Sequence, residues 1–171
     1  AEPLCGAFRP GHFRGVATVV AKLFNIIQAD RAYFGQKDAQ QVIILQNMVR
    51  QLNIPMEIVV CPIVREADGL ALSSRNVYLS AEDRAKALVL SGALREAERK
   101  VRAGERDVAK LEAGMRALIE AVPGAKMDYA RIVDRITLAD LPVLDRPALA
   151  AVAVRFGGTR LIDNVILDPH N

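Results

Sequence analysis

Two stretches near the start of the chain repeat apolar residues at helical spacing, and each is followed by a short apolar run. The two stripes are Val16, Val19, Val20, Leu23 and Ile27, then Val42, Leu45, Val49 and Leu52. The runs that follow them cover residues 31–34 and 56–62. This order of helix, strand, helix and strand, with short connections, predicts a parallel sheet with right-handed crossovers. The near-continuous apolar run at 56–62 predicts a strand covered on both faces.

The second half of the chain has the pattern of two helices followed by three strands. Ser80 opens the first helix with a capping-box pattern, and Asp107 can cap the second. The helical stripes are Ala87, Leu90, Leu94, Ala97 and Val101, then Val108, Leu111, Met115, Leu118 and Val122. The strand-like runs are residues 127–133, 149–156 and 161–167. Because Gly157-Gly158 is typical of a two-residue hairpin, we expect a small α+β unit with about three antiparallel strands.

A polar segment at 64–76 separates the two halves and is richer in hydroxyls and charge than packing requires. The Asp-Gly pair at 68–69 is a turn signal, because glycine accepts positive φ and aspartate bonds its own following backbone. Ser73, Ser74 and Arg75 then offer two hydroxyls and a guanidinium, a set that suits phosphate oxygens. The alternative is a solvated linker whose serines cap a short helical turn, and the sequence alone leaves both open.

A second polar segment, at 35–38, follows the first predicted strand. Gly35 lets the backbone approach a ligand, Lys37 can place a point charge on a phosphate, and Asp38 can accept from a ribose hydroxyl. Gln41, one turn into the next helix, points back toward the same place. Alternatively, Asp38 caps that helix, and both roles can hold together.

Both polar segments follow the carboxyl ends of predicted parallel strands, which is the edge where such sheets bind ligands. We therefore expect residues 35–38 and 64–75 to converge on one side of the sheet. His12 and Arg14 stand near the start of the first predicted helix, where backbone dipoles and cations together favour an anion. A surface role is the alternative for both.

Composition and charge narrow the classes of function. The chain has 171 residues, 51% of them hydrophobic, which is enough for a packed core. Its net charge of +3 is spread evenly, so we expect no nucleic-acid partner. His12 and His170 are the only histidines, and the sequence therefore offers no metal constellation and no Ser-His-Asp arrangement. Two distant cysteines, no membrane-length apolar run and no signal-peptide pattern predict a cytoplasmic protein with no membrane partner.

Five motifs together resemble the pantoate–β-alanine ligase (pantothenate synthetase) family, and they occur in order through essentially the whole chain. They are RPGHFRG at 9–15, FGQKD at 34–38, READG at 65–69, LSSRN at 72–76 and TRLIDN at 159–164. The resemblance implies an α/β fold with two domains. Residues 1–63 would be the C-terminal portion of a Rossmann-like nucleotide-binding domain, and residues 64–171 a small α+β domain that carries the Ser-Ser-Arg loop.

This resemblance implies an ATP-dependent ligase that works in two steps. The carboxylate of pantoate attacks the α-phosphorus of ATP with the assistance of Mg²⁺, which gives pantoyl adenylate and pyrophosphate. The amine of β-alanine then attacks the mixed anhydride and releases pantothenate and AMP. The family resemblance also implies a homodimer.

The resemblance assigns roles to residues of both polar segments. The residues that would bind ATP are Gly35, Gln36, Lys37, Asp38, Val64, Leu72, Ser73, Ser74 and Arg75. Lys37 would touch phosphate, Asp38 the ribose, and Val64 the adenine through its backbone. Lys37 and the Ser-Ser-Arg residues would also stabilise the charge that develops in the transition state. The candidates for substrate binding are Gln41, which would hold pantoate, and Arg9 and His12.

We expect the chain to lack the N-terminal catalytic half of that family, with its His-x-Gly-His motif, and to be inactive alone. One alternative is a nucleotide-binding fragment without catalysis, which would bind ATP but release no pyrophosphate. Another is a purely structural domain, above all for residues 80–171. An RNA-binding piece of a tRNA synthetase would require a basic cluster, which the sequence lacks.

Overall fold

The structure is a computed structural model that describes Leu4 and residues 11–170. Its helices are α1 (His12–Ile27), α2 (Ala39–Gln51), α3 (Ala81–Ala87), α4 (Val89–Arg102) and α5 (Val108–Glu120). Its strands are β1 (Arg31–Gly35), β2 (Glu57–Cys61), β3 (Lys126–Asp134), β4 (Ala148–Phe156) and β5 (Thr159–Leu167). Short 3-10 helices cover Gln36–Asp38 and Ser74–Tyr78. The chain divides into an N-terminal unit of residues 1–63 with 136–138 and a C-terminal unit of residues 64–135 with 139–171.

In the N-terminal unit, β1 and β2 form the predicted parallel pair. Their register runs from Arg31 opposite Glu57 to Gly35 opposite Cys61. The helix α2 connects the two strands, as a parallel pair requires a crossover. Both carboxyl ends therefore lie at one edge of this sheet, and the 3-10 helix before α2 begins there.

The packing face of α1 differs from the predicted stripe. Val19, Leu23 and Ile27 are exposed, whereas the buried side chains of α1 are Phe13 and Phe24. These two phenylalanines are eleven residues apart, about three helical turns, so they share one face. Phe24 meets Phe34 of β1 edge to face, with ring centroids 6.5 Å apart. The period was predicted correctly, but the covered face of α1 was not.

The expectation that β2 is covered on both faces is wrong for the described residues. Ile58 and Val59 are half-buried and Val60 is exposed. Among the residues that the structure describes, this sheet has two strands, so β2 has a single strand partner. Its apolar sequence is therefore only partly buried.

The C-terminal unit contains the antiparallel sheet, ordered β3-β4-β5 with β4 in the centre. The two-residue turn at Gly157-Gly158 is confirmed, because Phe156 pairs directly with Thr159. Helices α4 and α5 cover one face of the sheet. The main core residues are Leu90, Leu94, Val101, Leu111, Met115, Ile119, Ile132, Val152 and Val154.

The helices of this unit follow the prediction with two corrections. Ser80 caps α3 by accepting from the Asp83 N–H at 3.0 Å, and Asp107 caps α5. The predicted single helix is two helices, separated at Leu88. That residue keeps helical dihedral angles (φ −60°, ψ −18°), so the break is a local irregularity. On α5, Ile119 is fully buried in place of the predicted Leu118, which is 40% exposed.

Candidate functional site

The first candidate region lies at the carboxyl edge of the parallel pair. Gly35 ends β1, the 3-10 helix Gln36–Asp38 turns the chain, and α2 begins at Ala39. The first N–H groups of a helix have no intrahelical partner, and they carry a partial positive charge. The residues that were predicted to bind a nucleotide therefore stand directly before a 13-residue helix.

Gly35 leaves the end of β1 uncovered. Its dihedral angles (φ −73°, ψ 132°) are ordinary extended backbone, which any residue can adopt. A Cβ atom placed on Gly35 would meet no other atom within 4 Å. Neither backbone strain nor crowding by the described residues requires glycine here, and the space in front of its backbone is open.

Asp38 occupies the cap position of α2, but its side chain does not make the capping hydrogen bond. Its carboxylate is exposed at the surface. Asp38 therefore has the position of a capping residue, but its side chain does not act as the cap. Lys37 and Gln41 flank it and are half-buried.

His12 is the first residue of α1 and is half-buried, with its ring 5.1 Å from that of Phe13. Arg14 is exposed in the same first turn. Arg9, the remaining candidate for substrate binding, lies outside the described residues.

The second candidate region begins with a tight hairpin at 64–72. The N–H of Leu72 donates to the Val64 carbonyl at 2.9 Å, and the N–H of Glu66 donates to the Leu70 carbonyl at 2.8 Å. Gly69 has φ +93°, a conformation that favours glycine, and Asp68 accepts from the Leu70 N–H at 3.1 Å. The predicted Asp-Gly turn is confirmed.

Ion pairs fix this hairpin to the rest of the C-terminal unit. Arg65 binds both carboxylate oxygens of Asp163 on β5, at 2.7 and 3.0 Å. Arg84 of α3 bridges Glu66 at 2.7 Å and Asp68 at 2.6 Å. We call residues 64–72 the anchored hairpin.

The carboxylates that bind Arg84 have lowered pKa values. Hydrogen bonds from Asn76 and then Arg84 hold the pKa of Glu66 below its usual 4.5. The Leu70 N–H and then Arg84 hold the pKa of Asp68 below its usual 3.8. Both carboxylates raise the pKa of the Arg84 guanidinium in return. The bridge is therefore fully charged at neutral pH.

The residues that follow the hairpin, 73–75, form what we call the tip. Ser73 is half-buried and its hydroxyl accepts from the Arg75 N–H at 3.3 Å, at the start of the 3-10 helix. The helical-turn alternative thus describes Ser73 correctly. Ser74 and Arg75 are exposed, as are Val64 and Leu72 at the base of the hairpin. Among the described residues, none forms a hydrogen bond or ion pair with the Arg75 guanidinium.

The sequence reasoning missed Arg84 and Asp163. Asp163 entered the prediction only as part of the TRLIDN motif and was given no role, yet its side chain is only 2% exposed. The sequence offered no clear signal for this role, because β5 also contains the polar residues Arg160 and Asn164, and a buried charge can be recognised as one that requires a partner only once its burial is known. The expected convergence of residues 35–38 and 64–75 stays a prediction, since they lie in different units.

Within the described residues, no group of three or more His, Cys, Asp or Glu side chains could hold a metal ion. The described helices include none that is both long and apolar enough to cross a membrane.

Known proteins match the sequence over nearly the whole chain. The family model for pantoate-beta-alanine ligase matches residues 1–166. The pantothenate synthetase of Syntrophomonas wolfei is 57% identical over 167 residues, which are 98% of this chain and 59% of the relative. That of Acidobacterium capsulatum is 60% identical over 164 residues, which are 96% and 55%.

Solved structures agree with this fold. Pantothenate synthetase from Thermus thermophilus superimposes with a TM-score of 0.93 at 49% identity, covering 98% of this chain and 60% of that one. Pantoate-beta-alanine ligase from Francisella tularensis, solved in complex with beta-gamma ATP and beta-alanine, gives 0.69 at 31% identity, covering 99% and 55%. The chain thus spans about 60% of the length of such relatives, and the predicted fold class is confirmed. With the family model matched from residue 1 to residue 166, the chain belongs to the pantoate–β-alanine ligase family.

Proposed function

We propose that this chain binds ATP through residues 35–38 and 72–75 in the adenylation of pantoate, the first step of an ATP-dependent pantoate–β-alanine ligase. One observation carries the proposal. Of the charged side chains in the segment 64–76, Arg65, Glu66 and Asp68 are all used in anchoring, and Arg75 alone has no partner among the described residues. A guanidinium presented on an anchored segment is well suited to phosphate oxygens.

The N-terminal unit would contribute the other half of the nucleotide contacts, as part of a Rossmann-like domain. The open space at Gly35 lets the phosphates approach the backbone, and the first turn of α2 adds the N–H groups that lack an intrahelical partner. Lys37 would bring a positive charge to the phosphates. The Asp38 carboxylate, which does not cap α2, can accept from the ribose hydroxyls. Gln41, in that first turn, would hold pantoate.

The chemistry explains why cations and hydroxyls are needed. In the first step, a carboxylate oxygen of pantoate bonds to the α-phosphorus, and the bond to the bridging oxygen breaks, so negative charge grows on the leaving pyrophosphate. Donors that are already in position stabilise that charge without reorganisation. Arg75, Ser73 and Ser74 would supply them. In the second step the β-alanine nitrogen bonds to the carbonyl carbon, AMP leaves, and the amine proton passes to solvent.

Mg²⁺ would enter with ATP as its phosphate complex. The described residues offer no cluster of ligands for it, and Mg²⁺ commonly keeps water and phosphate ligands in place of a full protein cage. The residues present fit that mode, because the Arg75 guanidinium can balance phosphate charge that the metal leaves.

A second candidate function is nucleotide binding without catalysis. The Arg75 guanidinium supports it equally, since binding alone requires the same phosphate contacts. The two candidates differ in one product, because only the ligase releases pyrophosphate in response to pantoate. A homodimer, which the family resemblance implies, and a cytoplasmic location, which the two distant cysteines suggest, are further proposals.

The test is calorimetric titration of the chain with Mg-ATP, followed by a pyrophosphate-release assay with pantoate. Lys37→Ala and Arg75→Ala should each weaken ATP binding by roughly 10- to 150-fold, the value of one charge-assisted hydrogen bond. Lys22→Ala and Arg135→Ala are matched controls, because both side chains are exposed and lie outside the proposed site. The controls should stay within about threefold of the unmodified chain.

The outcomes separate the candidates. Binding that is lost in the site variants, together with pantoate-dependent pyrophosphate, supports the ligase. The same binding without pyrophosphate is the result expected if the chain is inactive alone, and it favours the non-catalytic candidate for this chain. If the site variants and their controls bind ATP equally well, the proposed site is wrong and the structural-domain alternative gains.

A further inference from the structure

The guanidinium of Arg84 stands at the centre of a chain of contacts that joins α3 to the anchored hairpin. Its Nη2 atom lies 2.7 Å from one oxygen of Glu66 and 2.6 Å from an oxygen of Asp68. The other oxygen of Glu66 accepts from the Asn76 amide at 2.6 Å. Asn76 is buried, and its amide also donates to the Ala71 carbonyl at 3.1 Å. One arginine therefore holds both the turn of the hairpin and, through Glu66, the residue after the tip.

These contacts leave the tip between two fixed points. On one side, the Leu72 N–H is bonded to the Val64 carbonyl within the hairpin. On the other, Asn76 is held by Glu66 and its N–H donates to the Ser73 carbonyl at 3.0 Å. Three residues, 73–75, span the gap, and Arg75 is the last of them. With both ends fixed, the tip has few conformations to lose when it binds a ligand.

We infer that Arg84 is a positioning residue, which holds residues 73–75 in the conformation that presents Arg75 to phosphate. Arg84 itself is directed at carboxylates and leaves the phosphate contact to Arg75. The inference rests on the proposed function for its consequence in ATP binding, while the anchoring itself can be measured without ATP. Arginine suits this place, because Nη2 carries two N–H donors and can therefore serve both carboxylates at once.

Amide hydrogen exchange on the ligand-free chain is the first test. In Arg84→Gln, the amides of Leu72 and Asn76 should exchange at least about tenfold faster, because their hydrogen bonds open more often. The matched control is Arg99→Gln, which removes an arginine bonded to both oxygens of Glu96 at 2.7 Å on the surface of α4. The control should leave those two amides unchanged. In Arg84→Gln the amides of β4 should lose less protection than those of Leu72 and Asn76, which would show that the opening at the tip is local.

The second test asks whether the anchoring serves phosphate. Arg84→Gln should weaken Mg-ATP binding by about tenfold and leave adenosine binding unchanged, since adenosine has no phosphate to contact. A double-mutant cycle with Arg75→Ala then separates positioning from a general loss of structure. If Arg84 acts through Arg75, its substitution should have almost no further effect in the Arg75→Ala background. Arg84→Lys, which keeps the positive charge on a shorter side chain, should fall between the unmodified chain and Arg84→Gln.

The results distinguish this inference from the proposed function. Unchanged amide exchange at Leu72 and Asn76 in Arg84→Gln overturns the inference, whatever the affinity of that variant for Mg-ATP. Faster exchange with unaltered ATP affinity also overturns it, because the anchoring would then serve stability alone. If Arg75→Ala binds ATP as the unmodified chain does, the proposed function fails, and the exchange data alone decide whether Arg84 holds the tip. Faster exchange, weaker ATP binding and a non-additive cycle together support it.

Discussion

The partly buried ion pair between Arg65 and Asp163 provides a quantitative test of how the hairpin is anchored. Asp163 accepts two bonds from Arg65 and a third, at 2.8 Å, from the Asn164 N–H. We consider Asp163→Asn, which preserves the shape of the side chain and removes its charge. The new amide group also brings donors to face the donors of Arg65, so at least one of the two bonds to the guanidinium is lost.

The expected cost follows from burial. Losing one hydrogen bond to a charged group costs about 1.5–3 kcal/mol, and breaking a fully buried pair costs about 3–5 kcal/mol. The Asp163 side chain is 2% exposed, but that of Arg65 is 32% exposed, so water can reach part of the freed guanidinium. We therefore expect the free energy of unfolding of the C-terminal unit to fall by about 2–3 kcal/mol.

The measurement is hydrogen exchange of the Val152 and Val154 amides in β4, the central strand, which open when the unit unfolds as a whole. The expected loss corresponds to exchange that is roughly 30- to 150-fold faster. Glu96→Gln is the control, since Glu96 forms an equally bidentate pair with Arg99, whose side chain is 67% exposed. That surface pair should change exchange by less than about threefold. Equal effects of the two substitutions would refute the argument that burial gives the Arg65 pair its stabilising effect.

Two further predictions concern the candidate site and the pH dependence of the hairpin. Gly35→Ala should fold normally but weaken Mg-ATP binding roughly tenfold, because its methyl group would fill the open space through which the phosphates would approach. Gly15→Ala is the control, because a methyl group there also meets no other atom within 4 Å. Equal ATP titrations of the two variants would contradict the prediction. The pKa values of Glu66 and Asp68 are lower in the folded protein than their usual values of 4.5 and 3.8. The two carboxylates therefore stabilise the folded state above those usual values, and this stabilisation is lost as the pH falls through the lower pKa values of the folded protein. Thermal unfolding should therefore show that Glu66→Gln is less stable than the unmodified chain at pH 7, by a margin that shrinks below pH 4.5, and a constant margin would exclude this linkage.

The local pattern of apolar, polar and turn residues was sufficient to predict the helices, the strands and the pairing of the strands. Alternating helix and strand signals predicted the parallel pair, and the Gly157-Gly158 turn predicted the β4–β5 hairpin. Patterns of this kind indicate that a helix exists, but which face is covered depends on what lies beside it. Both Phe24 and Leu23 suit an apolar face, and the structure buries Phe24, which meets Phe34 of β1.

Less of the candidate site than of the fold could be predicted from the sequence. The Asp-Gly turn is encoded by neighbouring residues, so the sequence predicted it. The partners of the anchored hairpin are remote: Asp163 is 98 positions from Arg65, and Arg84 is 18 positions from Glu66. No spacing rule connects residues so far apart, and an unaided sequence therefore cannot indicate which charges are structural.

The distribution of charges in the segment 64–76 explains why it can be both rigid and open to a ligand. Anchoring requires charges that are satisfied inside the protein, whereas binding an anion requires at least one cation that is not. Here the base of the segment contains the satisfied charges, and the exposed tip ends in Arg75. If Arg75 were paired with Glu66 or Asp68, phosphate would have to compete with a carboxylate at the cost of an ion pair. Because Arg84 already occupies both carboxylates, we propose that the ion pairs that fix the hairpin also leave Arg75 available to phosphate.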